Sequence, residues 1–215
     1  MLERISRREE FDLFVAWLAI SLAFTIIFIS PGGLISTAGR VDPLLALIFF
    51  GVSLVTVGIG FILHELGHKF MAMKYGFWAE FRKDNIMLLV AVVLAALVGF
   101  VFAAPGATVI YSNTADGRSL SREQNGIISA IGPAINLLLC IPFALILFLS
   151  RAGNPHGILA IVGMIGLQVN AMVAAFNMLP VSVLDGKKIM AWNMGVFLVM
   201  IVAAFAVLVG SFYLL

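Results

Sequence analysis

Long apolar stretches leave this chain few architectures. They occupy 11–29, 44–70, 86–110, 126–149, about 157–180 and 191–215, parted by short polar segments. An α-helix needs about 20 consecutive apolar residues to cross a bilayer. Hydrophobic residues make up 62% of the chain and charged residues 11%, with a mean hydropathy of +1.13. A soluble domain carries about 25% charged residues. The expected fold is therefore an all-α polytopic membrane protein of five to six transmembrane helices, organised as one membrane-embedded domain over 1–215. A net charge of +2 gives no reason to expect nucleic acid, and the single Cys140 lies in an apolar run, where a small core residue is expected. The start, MLERISRREEFD, has no cleavage-type site, so 11–29 is read as a retained first helix with a cytoplasmic basic leader, and 191–215 as the last helix.

Lys and Arg favour cytoplasmic loops, so their distribution tests the topology. If 86–110 crosses once, eight of the thirteen lie inside and five outside. If it enters and returns, turning near Gly99 or at Pro105-Gly106, only Arg40 and Arg151 remain outside. The second arrangement is preferred, with five crossing helices. Its irregular backbone at FAAPGA (102–107) then has to pack against protein or line a wet cavity.

The chemistry stands out against this apolar background. Of eleven acidic residues, only Glu65 and Asp185 have strongly apolar sequence surroundings, and Glu65 sits in FILHELGHKF (61–70) between His64 and His68. Ionisable groups within spans are costly and mark function by default. On a helix, positions i and i+4 share a face, so His64 and His68 can offer two imidazoles to one ion. Glu65, one step round the helix, reaches a water on that ion without ligating it. This is the HExxH arrangement of a hydrolytic zinc site with a general base. Gly67 leaves surface bare between the histidines, room for a substrate backbone.

A catalytic zinc wants three protein ligands and an open position. His156, the remaining histidine, lies in a loop that the charge count places on the far side. Asp185 in FNMLPVSVLDGKK (176–188) lies on the near side. It is either the third ligand or the cap of the helix that begins GKKIMAW, and the need for a third donor favours the ligand.

HELGH, with NMLPVSVLDG more than a hundred residues later and GPAIN (132–136) between them, resembles the site-2 protease family of intramembrane zinc metalloproteases. The resemblance covers about residues 44–190, the expected catalytic core. It implies one Zn²⁺ held by His64, His68 and Asp185, and Glu65 as catalytic base. It also implies Asn136 and Asn177 near the site, as candidates for substrate backbone or oxyanion, although Asn136 could instead bridge helices. The implied substrate is a transmembrane or signal-type helix of another protein, locally unwound and cut within or near the membrane. An exposed strand at GFWAEFR (76–82) could receive it by edge pairing. Among rivals, a protease that takes a later glutamate as third ligand finds none after Glu123, and three histidines are too few for a di-iron oxidase. A metal-binding transporter or scaffold would use polar residues along a path, for which Gln168, Asn170 and Asn177 are the material.

Overall fold

The computed structural model describes residues 5–36, 41–101, 106–111, 119–154, 157–181 and 183–214. The helices are α1 (Arg7–Ile29), α2 (Pro43–Lys74), α3 (Asn85–Val98), α4 (Arg122–Gly153), α5 (Ile158–Asn177), α6 (Asp185–Trp192) and α7 (Met194–Tyr213). Two strands, β1 (Trp78–Lys83) and β2 (Gly106–Tyr111), pair as the small sheet found among the described residues. Helices α1, α2, α4, α5 and α7 are long and apolar enough to cross a membrane. This is a multi-pass membrane protein.

Helix boundaries follow local chemistry. The Asp42 carboxylate accepts from the Leu44 and Leu45 amides ahead of Pro43, which needs no donor at the first helical position. At the far end of α2, Gly76 takes a φ of +86° and the Phe77 N–H reaches back to the Ala72 carbonyl, closing the helix so that β1 follows at once. Ser121 and Gln124 cap each other's backbone at the start of α4.

The chain forms two compact units, 1–62 with 81–107 and 63–80 with 108–215, and α2 runs through both. In the first unit α1 packs against α3, and the Trp17 indole donates to the Leu54 carbonyl. Here the run 86–110 resolves into a helix and a strand. Helix α3 has 14 residues, about 21 Å at 1.5 Å per residue, short of a bilayer core. It stops at Gly99, whose φ of +68° and whose contact with the Pro31 carbonyl exclude a side chain. The chain departs at Lys83 and is back beside Arg82 and Lys83 at Gly106, a return rather than a crossing. The FAAP of the expected turn, 102–105, lies outside the described residues. The segment 30–36 caps α3, with the Leu34 amide donating to the Ala96 carbonyl at 2.7 Å.

The sequence surroundings of acidic residues do not report their burial. Glu9 and Asp12, in the polar leader, are both buried. Glu9 accepts the Phe81 amide at 3.0 Å, and Asp12 pairs with Arg82. The backbone edge of β1 is thus engaged at Phe81 by α1 rather than open there.

In the second unit α4 packs along α5, and α6 and α7 pack against this pair. Small residues allow the close approach usual between membrane helices: Gly163 sits on the Leu147 backbone and Gly166 on the Phe143 ring.

Gly99→Ala should lower stability by more than about 1 kcal/mol, because a side chain is strained at this φ and meets the Pro31 carbonyl. Gly51→Ala, at a helical position with open space around it, should leave stability unchanged or raised. Thermal unfolding of both variants in detergent checks the contrast.

Candidate metal centre

The helical period of α2 puts His64 and His68 one turn apart on one face. Asp185, at the start of α6, comes to meet them. Its Oδ2 lies 3.4 Å from His64 Nε2 and 3.1 Å from His68 Nε2, and the two Nε2 atoms are 3.0 Å apart. All three residues are buried, with 3%, 6% and 6% of their surface exposed.

The other ring nitrogens show what this cluster needs. His68 Nδ1 lies 2.8 Å from the Ile128 carbonyl, and His64 Nδ1 lies 2.6 Å from Asn136 Oδ1. A carbonyl oxygen only accepts, so each Nδ1 carries a proton, and in the neutral imidazole each Nε2 then offers a lone pair. In that form two imidazole lone pairs and a carboxylate oxygen converge, an arrangement that favours a cation. In a tetrahedral zinc site with bonds of about 2.0–2.2 Å, ligand atoms stand roughly 3.3–3.6 Å apart, close to the spacing here. His64, His68 and Asp185 form a site that can hold a metal ion. Asp185 does not cap α6: Leu184 holds the cap position, and no side-chain hydrogen bond caps this helix. Its second oxygen, Oδ1, faces Lys188 at 3.5 Å.

The surrounding backbone is shaped to the cluster. A Cβ on Gly132 would stand 2.5 Å from His68 Nε2 and 2.6 Å from His64 Nε2, so the glycine of GPAIN is the gap that the imidazoles fill. Pro133 removes one intrahelical bond of α4, in the stretch where the Ile128 carbonyl takes a side-chain donor. Gly186 lies against the Met178 and Leu179 carbonyls, seating the start of α6 on the turn that follows α5. The surface left bare by Gly67 receives Ile131 and Ile135 of α4, which fill the space proposed for a substrate backbone.

Glu65 is buried beside the histidines, and its Oε2 accepts a hydrogen bond from Thr108 Oγ1 at 2.8 Å. Thr108 reaches it because alternate β2 residues turn inward: Thr108 and Ile110 are partly buried while Val109 and Tyr111 are exposed. Asn136 is fully buried, and its amide is engaged by both His64 and Asn170 of α5. This is the helix-bridging arrangement. Asn177, half-buried at the end of α5, donates to the Val173 carbonyl of its own helix. His156 lies outside the described residues. Sequence reasoning missed Thr108 and Gly132. Thr108 sits in an otherwise apolar strand that gives no signal, whereas Gly132 belongs to a motif already noticed.

Over 190 residues the chain is 35% identical to a protein of Methanocaldococcus jannaschii named "putative zinc metalloprotease", covering 88% of this chain and 87% of that one. The chain belongs to that protein's family. No family model matches it, and no solved structure does.

Gly132→Ala should prevent metal binding while the helices still form, because the added methyl crowds the Nε2 atoms of both His64 and His68. Asp185→Ala should do the same by removing the third donor. Bound zinc per purified chain would fall from about one in the parent to near zero in each variant, consistent with a three-ligand site.

Proposed function

We propose that this chain is an intramembrane zinc metalloprotease of the site-2 protease type, hydrolysing peptide bonds within or near transmembrane segments of other membrane proteins. The observation that carries the reading is the buried meeting of His64, His68 and Asp185 with Glu65 one residue away on the same helix. The name of the archaeal relative supports it.

His64, His68 and Asp185 would hold one zinc ion. When bound, zinc acts as a Lewis acid toward a water and the scissile carbonyl. Glu65 accepts a proton from the attacking water as the oxygen bonds to the carbonyl carbon, and returns it to the amide nitrogen as the C–N bond breaks. Thr108 holds one oxygen of Glu65 and so orients the other. The burial of His64, Glu65, His68 and Asp185 strengthens these polar contacts. In this reading Asn177 remains the candidate for contact with substrate backbone, and the N-terminus and site face the cytoplasm. The substrate is a transmembrane or signal-type helix that unwinds locally, since helical hydrogen bonds otherwise hold its carbonyls. The transporter reading has less support, because Asn170 and Asn177 are hydrogen-bonded to backbone within α5 instead of arrayed toward a path.

Glu65→Gln should keep one zinc and lose at least a hundredfold in turnover, the lower end of what general-base catalysis contributes. Thr108→Val should lower turnover less, by about tenfold, and keep the metal. The assay is cleavage of a tagged single-span helix in liposomes, with metal content measured on the same samples. Undiminished cleavage by Glu65→Gln would sink the proposal.

A further inference from the structure

The two histidines are held in their metal-binding tautomer by different means. His68 donates directly to a backbone carbonyl, that of Ile128, which can do nothing but accept. His64 faces a side-chain amide, and an amide has two ends. Turned round, Asn136 would present its NH₂ group to His64 Nδ1. The proton would then belong on Nε2, where it blocks coordination.

A partner that opposes the reversal lies one helix away. Asn170 is fully buried on α5, and its Nδ2 donates to the Gly166 carbonyl at 2.8 Å. That acceptor fixes which end of Asn170 is the NH₂. Its Oδ1 therefore faces Asn136 and accepts from Asn136 Nδ2 at 2.9 Å. Asn136 is left with Oδ1 toward His64, and His64 with its proton on Nδ1. Each step permits one direction only, and the chain of bonds ends on backbone that cannot reverse.

We infer that Asn170 is a positioning residue of the metal site, acting through Asn136 to hold His64 with its Nε2 lone pair toward the ion. The inference rests on the metal-site reading proposed above. Asn170 itself touches neither a ligand atom nor substrate. Residues that orient ligating histidines typically contribute 10–100-fold in metal affinity. In apolar surroundings no water stands ready to replace a lost amide partner.

The test is a zinc dissociation constant, read by chelator competition on the full chain in detergent, for four proteins: the parent, Asn170→Leu, Asn136→Asp and the double variant. Asn170→Leu removes the acceptor that holds Asn136 Nδ2 and should weaken zinc binding at least tenfold. Asn136→Asp offers His64 Nδ1 an oxygen whichever way it turns, and supplies the background in which reversal at 136 has no meaning, whatever its own zinc affinity. In that background Asn170→Leu should bring no further loss. Equal losses in both backgrounds would overturn the inference, since Asn170 would then act through packing. No loss in either would overturn it as well. Asn170→Ala supplies the same comparison if leucine disturbs α5. A parent that takes up no zinc would remove the metal-site reading itself and this inference with it, an outcome distinct from the other two.

Discussion

Two imidazole nitrogens and a carboxylate oxygen facing one another inside an apolar structure form the contact around which the second unit of this protein is arranged. At separations of 3.0 to 3.4 Å, the two neutral imidazole nitrogens and the Asp185 oxygen repel unless a proton or a metal ion lies among them. Helical periodicity supplies two of the three without effort. The third comes from far along the chain, and much of the second unit positions it. Helix α4 supplies the gap at Gly132 and the carbonyl of Ile128, and the Gly186 contact seats Asp185 on the turn after α5. The fold concentrates polar groups that the membrane disfavours, and a metal ion held there would offset that cost.

The same scarcity of water governs the polar atoms around the site. An unpartnered polar group in hydrocarbon costs several kcal/mol, while an interhelical hydrogen bond adds only about 0.6–2 kcal/mol of net stability. Such bonds therefore matter more for direction than for strength. Those of His68, Asn170 and Asn177 end on backbone carbonyls, whose polarity is fixed. Side chains that could point either way are made to point one way by groups that cannot turn.

How far the sequence displayed this depends on what each residue needs. His64, Glu65 and His68 are legible because a five-residue helical spacing is itself the geometry. Asp185 emerged by subtraction, as an acid in apolar surroundings on the required side. The return of 86–110 was legible in thirteen cationic side chains, since topology is a property of whole loops. Thr108 and Asn170 were not. Thr108 matters through the phase of a strand that no pattern in an apolar run distinguishes from helix. Asn170 read as material for a polar path because its partners, Asn136 and the Gly166 carbonyl, are joined to it only by the packing of α4 on α5. The burial of Glu9 was hidden for a related reason. A polar sequence neighbourhood predicts exposure only where no other element packs over it.

That burial bears on why the first helix is more than an anchor. A chain that enters apolar surroundings and turns back leaves backbone groups that no single helix can satisfy. In the first unit these groups find partners from the N-terminal third of the chain. The Leu34 amide covers a terminal carbonyl of α3, the Pro31 carbonyl lies where a side chain on Gly99 would be, and Glu9 takes the Phe81 amide at the edge of β1. The Leu34 and Glu9 hydrogen bonds each satisfy a backbone group that would otherwise have to be hydrated. The polar leader and the glycine-rich segment after α1 read in sequence as an end and a linker. Physically they complete the hydrogen bonding of the return, and α1 is the element that brings both to it.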